Sequence, residues 1–129
     1  MKILILGAGR VGSSLASTLS KQQYEVSIVD LNKNRLQRLQ EDLDLATEVG
    51  HGSYPSTLKK AGADEETILL AVTNSDECNI TACQIAKSKF NVKKTICRLS
   101  DASYLNSLSA FGENNIDIAI SPENEVTEH

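Results

Sequence analysis

Apolar residues fall along the chain in two alternating kinds of run. Ile3–Leu6 is apolar without interruption, the pattern of a strand covered on both faces. Beyond it Val11, Leu15 and Leu19 recur at the spacing of one helix face. Val26–Val29 reads as a second strand. Leu36, Leu39 and Leu43 form the next helix face, with Lys33, Arg35 and Arg38 turned to water. Ala46–Val49 is a weaker strand, Leu58 and Ala61 mark a short helix, and Thr67–Val72 is a strong strand. Ile80, Cys83, Ala86 and Phe90 repeat at helical spacing before a strand at Thr95–Arg98. Leu105, Leu108 and Phe111 mark a last helix, and Ile116, Ile118 and Ile120 alternate as strand residues do.

Strands and helices in alternation imply a parallel sheet joined by right-handed crossovers. Six strands fit an α/β Rossmann architecture, doubly wound, with the order 3-2-1-4-5-6. The pattern predicts one domain over residues 1–123. Residues 124–129 read as the start of a truncated C-terminal segment, with Glu125–His129 opening another helix.

The 129 residues suffice for one core between a sheet and two helix layers. They leave no room for a second, substrate-binding domain, which argues against a self-contained dehydrogenase. Hydrophobic residues make up 40%, charged residues 23%, and the formal net charge is −4, the balance of a globular domain. Neither a basic patch nor a strongly acidic tail stands out, so no nucleic-acid partner is expected. No stretch is long and apolar enough to span a bilayer, and the apolar start of the chain runs into a glycine-rich turn instead of a cleavage site, so a cytoplasmic location is expected. Cys78, Cys83 and Cys97 are odd in number and lack CxxC spacing. They read as small buried thiols, and no metal site is expected.

Gly7-Ala8-Gly9-Arg10-Val11-Gly12 is a GxGxxG that follows a buried strand and opens a helix, the setting in which that pattern binds a dinucleotide. Gly7 permits the tight turn, Gly9 lets a pyrophosphate approach the backbone, and Gly12 lets helix and strand pack closely. Free N–H groups and the positive end of the helix dipole then face the phosphates. The alternative is a glycine-rich turn with no ligand, but no packing reason brings three such glycines together. Asp30 ends the second strand at the distance where a ribose-binding acid is expected. A carboxylate there would repel a 2′-phosphate, so NAD is favoured over NADP, although Lys33 and Arg35 nearby weaken that exclusion. Asp30 as a helix N-cap is the competing role.

Arg10, inside the phosphate loop, can reach a phosphate with paired charge-assisted hydrogen bonds, which keeps ATP or ADP open as ligands. Thr73 and Asn74 follow the fourth strand, and Arg98 ends the fifth, all at the sheet edge where such folds bind ligands. For Arg98 a salt bridge is the alternative. Asp76, Glu77 and Asn79 open a helix and read as capping residues. Gly50-His51-Gly52-Ser53 should line the adenine side, with His51 a polar loop residue and not a general base. No catalytic triad, dyad or carboxylate pair is recognisable.

Several segments together resemble the N-terminal lobe of the RCK (KTN) family of potassium-transport regulators, in its TrkA-type form. They are Met1–Gly12, Val29–Leu31, Gly50–Pro55, Ala71–Asn79 with Ala82-Cys83-Gln84, and Cys97–Leu99, with Ser121-Pro122-Glu123 resembling the end of that lobe. The resemblance covers the whole chain. It implies a regulatory NAD(H)-binding lobe, not an enzyme, with Gly7 to Val11 at the pyrophosphate and Asp30, with Leu31 after it, at the adenosine ribose. Thr73 and Asn74 would meet the nucleotide at the fourth strand, and Arg98 the nicotinamide or phosphate end. It further implies a homo-oligomer, dimer or tetramer in the full protein, docked on an integral-membrane K+ transporter at the cytoplasmic face of the inner membrane. Many members have Gly-Asp where this chain has Gly52-Ser53, which bears on the adenine contact. An ATP- or ADP-sensing lobe is the second reading, and a fragment of an NAD-dependent dehydrogenase the third.

Overall fold

The computed structural model describes residues 1–112, 114–121 and 126–128. Its elements run β1 (Lys2–Leu6), α1 (Arg10–Lys21), β2 (Glu25–Asp30), α2 (Lys33–Asp42), β3 (Ala46–Val49), α3 (Pro55–Lys60) and β4 (Thr67–Ala71). They continue with α4 (Asp76–Phe90), β5 (Lys94–Arg98), α5 (Ala102–Leu105), a 3-10 turn (Leu108–Phe111), β6 (Ile118–Ile120) and β7 (Val126–Glu128). The sheet order is β3-β2-β1-β4-β5-β6-β7. The first six strands are parallel, in the order the alternation predicts.

β7 is a departure from that expectation. Where the sequence pattern opens a helix at Glu125–His129, Val126–Glu128 pairs antiparallel with β6. Glu125, His129 and Pro122–Glu123 lie outside the described residues. The physical reason for the pairing is the free edge of β6, whose N–H and C=O groups seek partners. Ile116 precedes the sixth strand and is buried in the core, while Ile118 and Ile120 are half-buried.

Alternation along β1 divides the core. Leu4 and Leu6 face the layer of α3 and α4, with Leu69, Cys83 and Ala86. Ile3 and Ile5 face the layer of α1 and α2, with Ala16, Ile28 and Leu36. Burial on both sides explains why β1 carries no polar residue between Ile3 and Leu6. Two helix readings change in detail. α2 stops at Asp42, and Leu43 caps it in extended conformation. The run of Leu105, Leu108 and Phe111 is split between α5 and the 3-10 turn. A period of three suits a 3-10 helix, at about 3.0 residues per turn, better than an α-helix, and all three side chains still pack on the core.

Candidate nucleotide-binding site

The C-terminal ends of β1, β2, β4 and β5 converge on two adjoining cavities. One, of about 280 Å³, is lined by Gly7, Gly9, Arg10, Val11, Asp30, Thr73, Asn74 and Arg98, all expected from the sequence, together with Arg35 and Val72. The other, of about 470 Å³, shares Gly7, Asp30, Arg35, Thr73 and Asn74 and adds Leu31, Gly50, His51, Gly52 and Cys78 among others.

The three motif glycines prove to have different reasons. Gly7 adopts φ +105°, and a Cβ there would lie 3.0 Å from the Thr73 Cα. At Gly12 a Cβ would lie 1.7 Å from the Gly7 carbonyl oxygen, because α1 packs directly on the turn. Two of the three therefore have the reasons the motif predicts for them, the tight turn at Gly7 and the close packing of α1 at Gly12. Gly9 has no packing reason: a Cβ there would meet no atom within 4 Å, and its φ of −77° suits any residue. The space in front of Gly9 opens into the first cavity. Gly9 is also the N-cap of α1, with no side chain to take its first N–H groups, so the donors of that turn point toward the cavity side.

Asp30 holds the loop in place. Its Oδ1 accepts the Ala8 N–H at 2.7 Å, and its Oδ2 accepts the Asn32 N–H at 2.8 Å. It is not the cap of α2. That role falls to Asn32, whose side chain accepts from the N–H groups of Asn34 and Arg35. Each Asp30 oxygen keeps further acceptor capacity, as a carboxylate has about four lone-pair directions. Ala8 and Gly12 thus serve the turn from behind, and neither lines the two cavities.

The opposite rim is organised by Asn79, fully buried within α4. Its Oδ1 accepts from the Thr73 N–H at 3.0 Å and the Thr73 hydroxyl at 2.7 Å. Its Nδ2 donates to the carbonyls of Thr73 at 3.1 Å and Arg98 at 2.8 Å. One amide therefore clamps the ends of β4 and β5 with its hydrogen-bonding capacity used on both sides. Arg98 in turn donates to the Thr73 carbonyl and to the Asn74 Oδ1. Among the described residues it makes no ion pair. Asn79 is more than the cap the sequence suggests. The signal was a polar residue next to Ile80 on the face that buries Cys83 and Ala86.

Asp76 and Glu77 also do other work. Ser75 caps α4, accepting from the Cys78 N–H. Asp76 accepts from the N–H groups of Ser100 and Asp101, both at 2.9 Å, and Glu77 from the Tyr104 hydroxyl. That bond to Glu77 holds the Tyr104 hydroxyl above its ordinary pKa.

Of the residues expected at the adenine side, Gly52 reaches the second cavity and Ser53 does not. The Ser53 N–H and hydroxyl instead engage His51 Nδ1, at 3.3 Å and 2.9 Å. His51 stacks on Tyr54 with ring centroids 4.5 Å apart and presents itself to the cavity. Cys78 lines the second cavity without having been expected there, and Arg35, expected only as a cation near Asp30, lines both. Arg35 lies in the first turn of α2, on the side the sequence pattern turns to water. Cys83 and Cys97 are buried, and a hydrogen bond to Cys97, with burial, pushes the Cys83 thiol well above its ordinary pKa.

Among the described residues no group of three His, Cys, Asp or Glu side chains gathers as metal ligands, and no helix is long and apolar enough to cross a membrane.

Known proteins resemble the chain across this whole frame. The TrkA-N domain family matches residues 3–122. The Trk system potassium uptake protein TrkA of Halomonas elongata is 43% identical over 131 residues, covering 100% of this chain and 29% of that protein. The chain thus spans under a third of that relative's length. The TrkA-N domain of the inner membrane protein ybaL from Escherichia coli superposes with a TM-score of 0.78 at 19% identity, over 95% of this chain and 87% of that one. The GsuK channel bound to NAD gives a TM-score of 0.70 at 19% identity, over 89% of this chain and 21% of that one. At such identities the structures attest the fold, and the family rests on the sequence match: the chain belongs to the TrkA-N domain family.

Proposed function

We propose that this chain is the NAD(H)-binding regulatory lobe of a potassium-uptake system. Gly9 carries the reading. It is the one motif glycine that the chain's own packing does not require, and it faces the cavity at the start of α1. Close approach of a pyrophosphate to that backbone supplies the missing reason. Asp30 would then accept from the adenosine ribose, the cavity beside Leu31 and His51 would take the adenine, and Thr73, Asn74 and Arg98 would face the nicotinamide side.

Two further facts support the reading. The Halomonas relative is named a potassium uptake protein, and the GsuK channel of like fold is described as bound to NAD. On this reading the lobe is a regulator and not an enzyme. It works within a homo-oligomer of the full protein, on the cytoplasmic face of the membrane and against an integral-membrane K+ transporter. Bound nucleotide biases the assembly only through its different affinity for the two conformations.

Calorimetric titration with NADH tests the ligand. The chain should bind, and Gly9→Val should lose at least tenfold in affinity while melting within a few degrees of the parent. A well-folded Gly9→Val protein with unchanged affinity would remove the basis of the proposal. Arg10→Ala adds a comparison: a larger loss for ATP than for NADH would favour a nucleotide read by its terminal phosphate.

A further inference from the structure

Asp30 by itself argues against a ligand with a 2′-phosphate, because two anions would meet at the ribose. The surroundings of Asp30 change that balance. Arg10 opens α1, and Arg35 and Arg38 lie one helical turn apart on α2. All three are exposed, and together they line a cleft of about 460 Å³ between the two helices. Arg35 lines this cleft and both nucleotide cavities, so the three spaces adjoin at its side chain.

The three guanidiniums are not neutralised by the protein. The ion pairs among the described residues are Lys2–Asp64 and Lys87–Asp117, and none of these four residues lines the cleft. Asp42 is the one acid among the cleft's lining residues, and it is not within 4.0 Å of an arginine nitrogen. In a chain of net charge −4, three unpaired arginines around one concavity run against the overall sign. Meanwhile the two oxygens of Asp30 are each engaged by a backbone N–H, which spreads its charge into the loop. Cations therefore outnumber carboxylates where a substituent on the ribose would project.

From this we infer that the cleft between α1 and α2 is a subsite for a phosphomonoester carried on the 2′ oxygen of the adenosine ribose. The lobe then takes NADP(H) as well as NAD(H). A phosphomonoester carries close to two negative charges at neutral pH and presents three acceptor oxygens. Planar guanidiniums bind such a group through paired N–H donors. Arg35, at the junction, would take the phosphate on the ribose side, and Arg38 would take it from the far wall of the cleft. The inference rests on the nucleotide reading of the two cavities and sharpens it: the lobe would respond to the phosphorylated dinucleotide pool, which Asp30 alone would exclude.

The test is a set of calorimetric titrations with NADH, NADPH, 5′-AMP, adenosine 2′,5′-bisphosphate and ATP. They are run on the parent chain, Arg35→Gln, Arg38→Gln and the double variant. Both arginines are exposed, so the variants should fold, and thermal melting checks that they do. NADPH should bind the parent within tenfold of NADH, and adenosine 2′,5′-bisphosphate should bind more tightly than 5′-AMP. In the double variant the ratio of NADPH to NADH affinity should fall at least fivefold. A parent that binds NADH and shows no NADPH binding overturns the subsite alone. So does an unchanged ratio in the double variant, including the case where ATP affinity falls instead, which would place a terminal phosphate in the cleft. If neither dinucleotide binds, the nucleotide reading falls and the subsite with it.

Discussion

The two rims of the cavity face each other and are built in opposite ways. The Gly7–Gly12 turn is backbone held by backbone and by a carboxylate. Gly7 donates to the Val29 carbonyl at 2.8 Å, Ala8 donates to Asp30, and Gly12 admits α1 against the turn. The Thr73–Arg98 rim is held by side chains, through Asn79 and its four hydrogen bonds. The first arrangement needs small residues at set spacings along a short segment. The second needs one polar residue delivered by a helix to two strand ends. A turn made of backbone leaves little for a side chain to do except stay out of the way. A rim made by a buried amide fails as a unit when that amide is lost.

Substitutions should separate the two rims clearly. Gly12→Val should have the largest effect, because its Cβ would collide with a backbone oxygen that cannot swing aside. We expect a loss of at least about 3 kcal/mol, the upper range for overpacking, measured by urea unfolding. A stable Gly12→Val protein would mean that α1 can shift off the turn. Asn79→Leu comes next, at about 2–4 kcal/mol, because the Thr73 N–H loses its partner and the Thr73 and Arg98 carbonyls each lose a donor, Thr73 keeping only that of Arg98. The same variant should weaken NADH more than 5′-AMP, since Thr73 and Arg98 face the nicotinamide side in the reading above. Equal weakening of both ligands would reduce Asn79 to a purely structural role.

Asp30→Ala should cost about 1–3 kcal/mol of NADH affinity, the range for hydrogen bonds to a charged group. A folded variant with parental affinity would show that the carboxylate serves the loop alone. The smallest effect belongs to a place outside both rims. Burial raises the Asp117 carboxyl, but the Lys87 ammonium and the Thr95 N–H outweigh it, and the net position is below the ordinary carboxylate value of 3.8. The pair therefore contributes stability that is present above that ordinary value and is lost as pH falls below it. Lys87→Met should flatten this acid limb by under about 1 kcal/mol and leave nucleotide affinity untouched, a useful contrast with Asp30. A steep limb unchanged in Lys87→Met would assign the loss to other carboxylates.

Much of the fold was legible because both helix layers leave a simple imprint. Ile3–Leu6 had to be apolar on both faces, and Val11, Leu15 and Leu19 had to share one side of a helix. The edge was less legible: β7 forms because β6 offers unpaired backbone groups, and no side-chain period records such an offer. Within the site, Gly7, Gly9, Asp30, Thr73, Asn74 and Arg98 were visible as residues at strand ends, where position along the chain is nearly position in space. Ser53 looked equivalent, but its hydrogen bonds to His51 keep it out of the cavities. Arg35 and Arg38 were read as solvent-facing, which they are, and only the packing of α2 beside α1 turns that exposure into a cleft.

What the chain determined on its own is therefore local: the order of elements, the apolar faces, and a tight turn that glycine alone permits at Gly7. Those follow from backbone geometry and from the two periods by which strands and helices hide apolar surface. Tertiary structure decided what each site residue is for. The reason is that hydrogen bonds and steric contacts join residues distant in sequence, as Asn79 joins Thr73 to Arg98 and Gly12 meets Gly7. It also decided that Gly9 alone among the three faces open space, since a glycine's purpose lies in what surrounds it and not in its own letter.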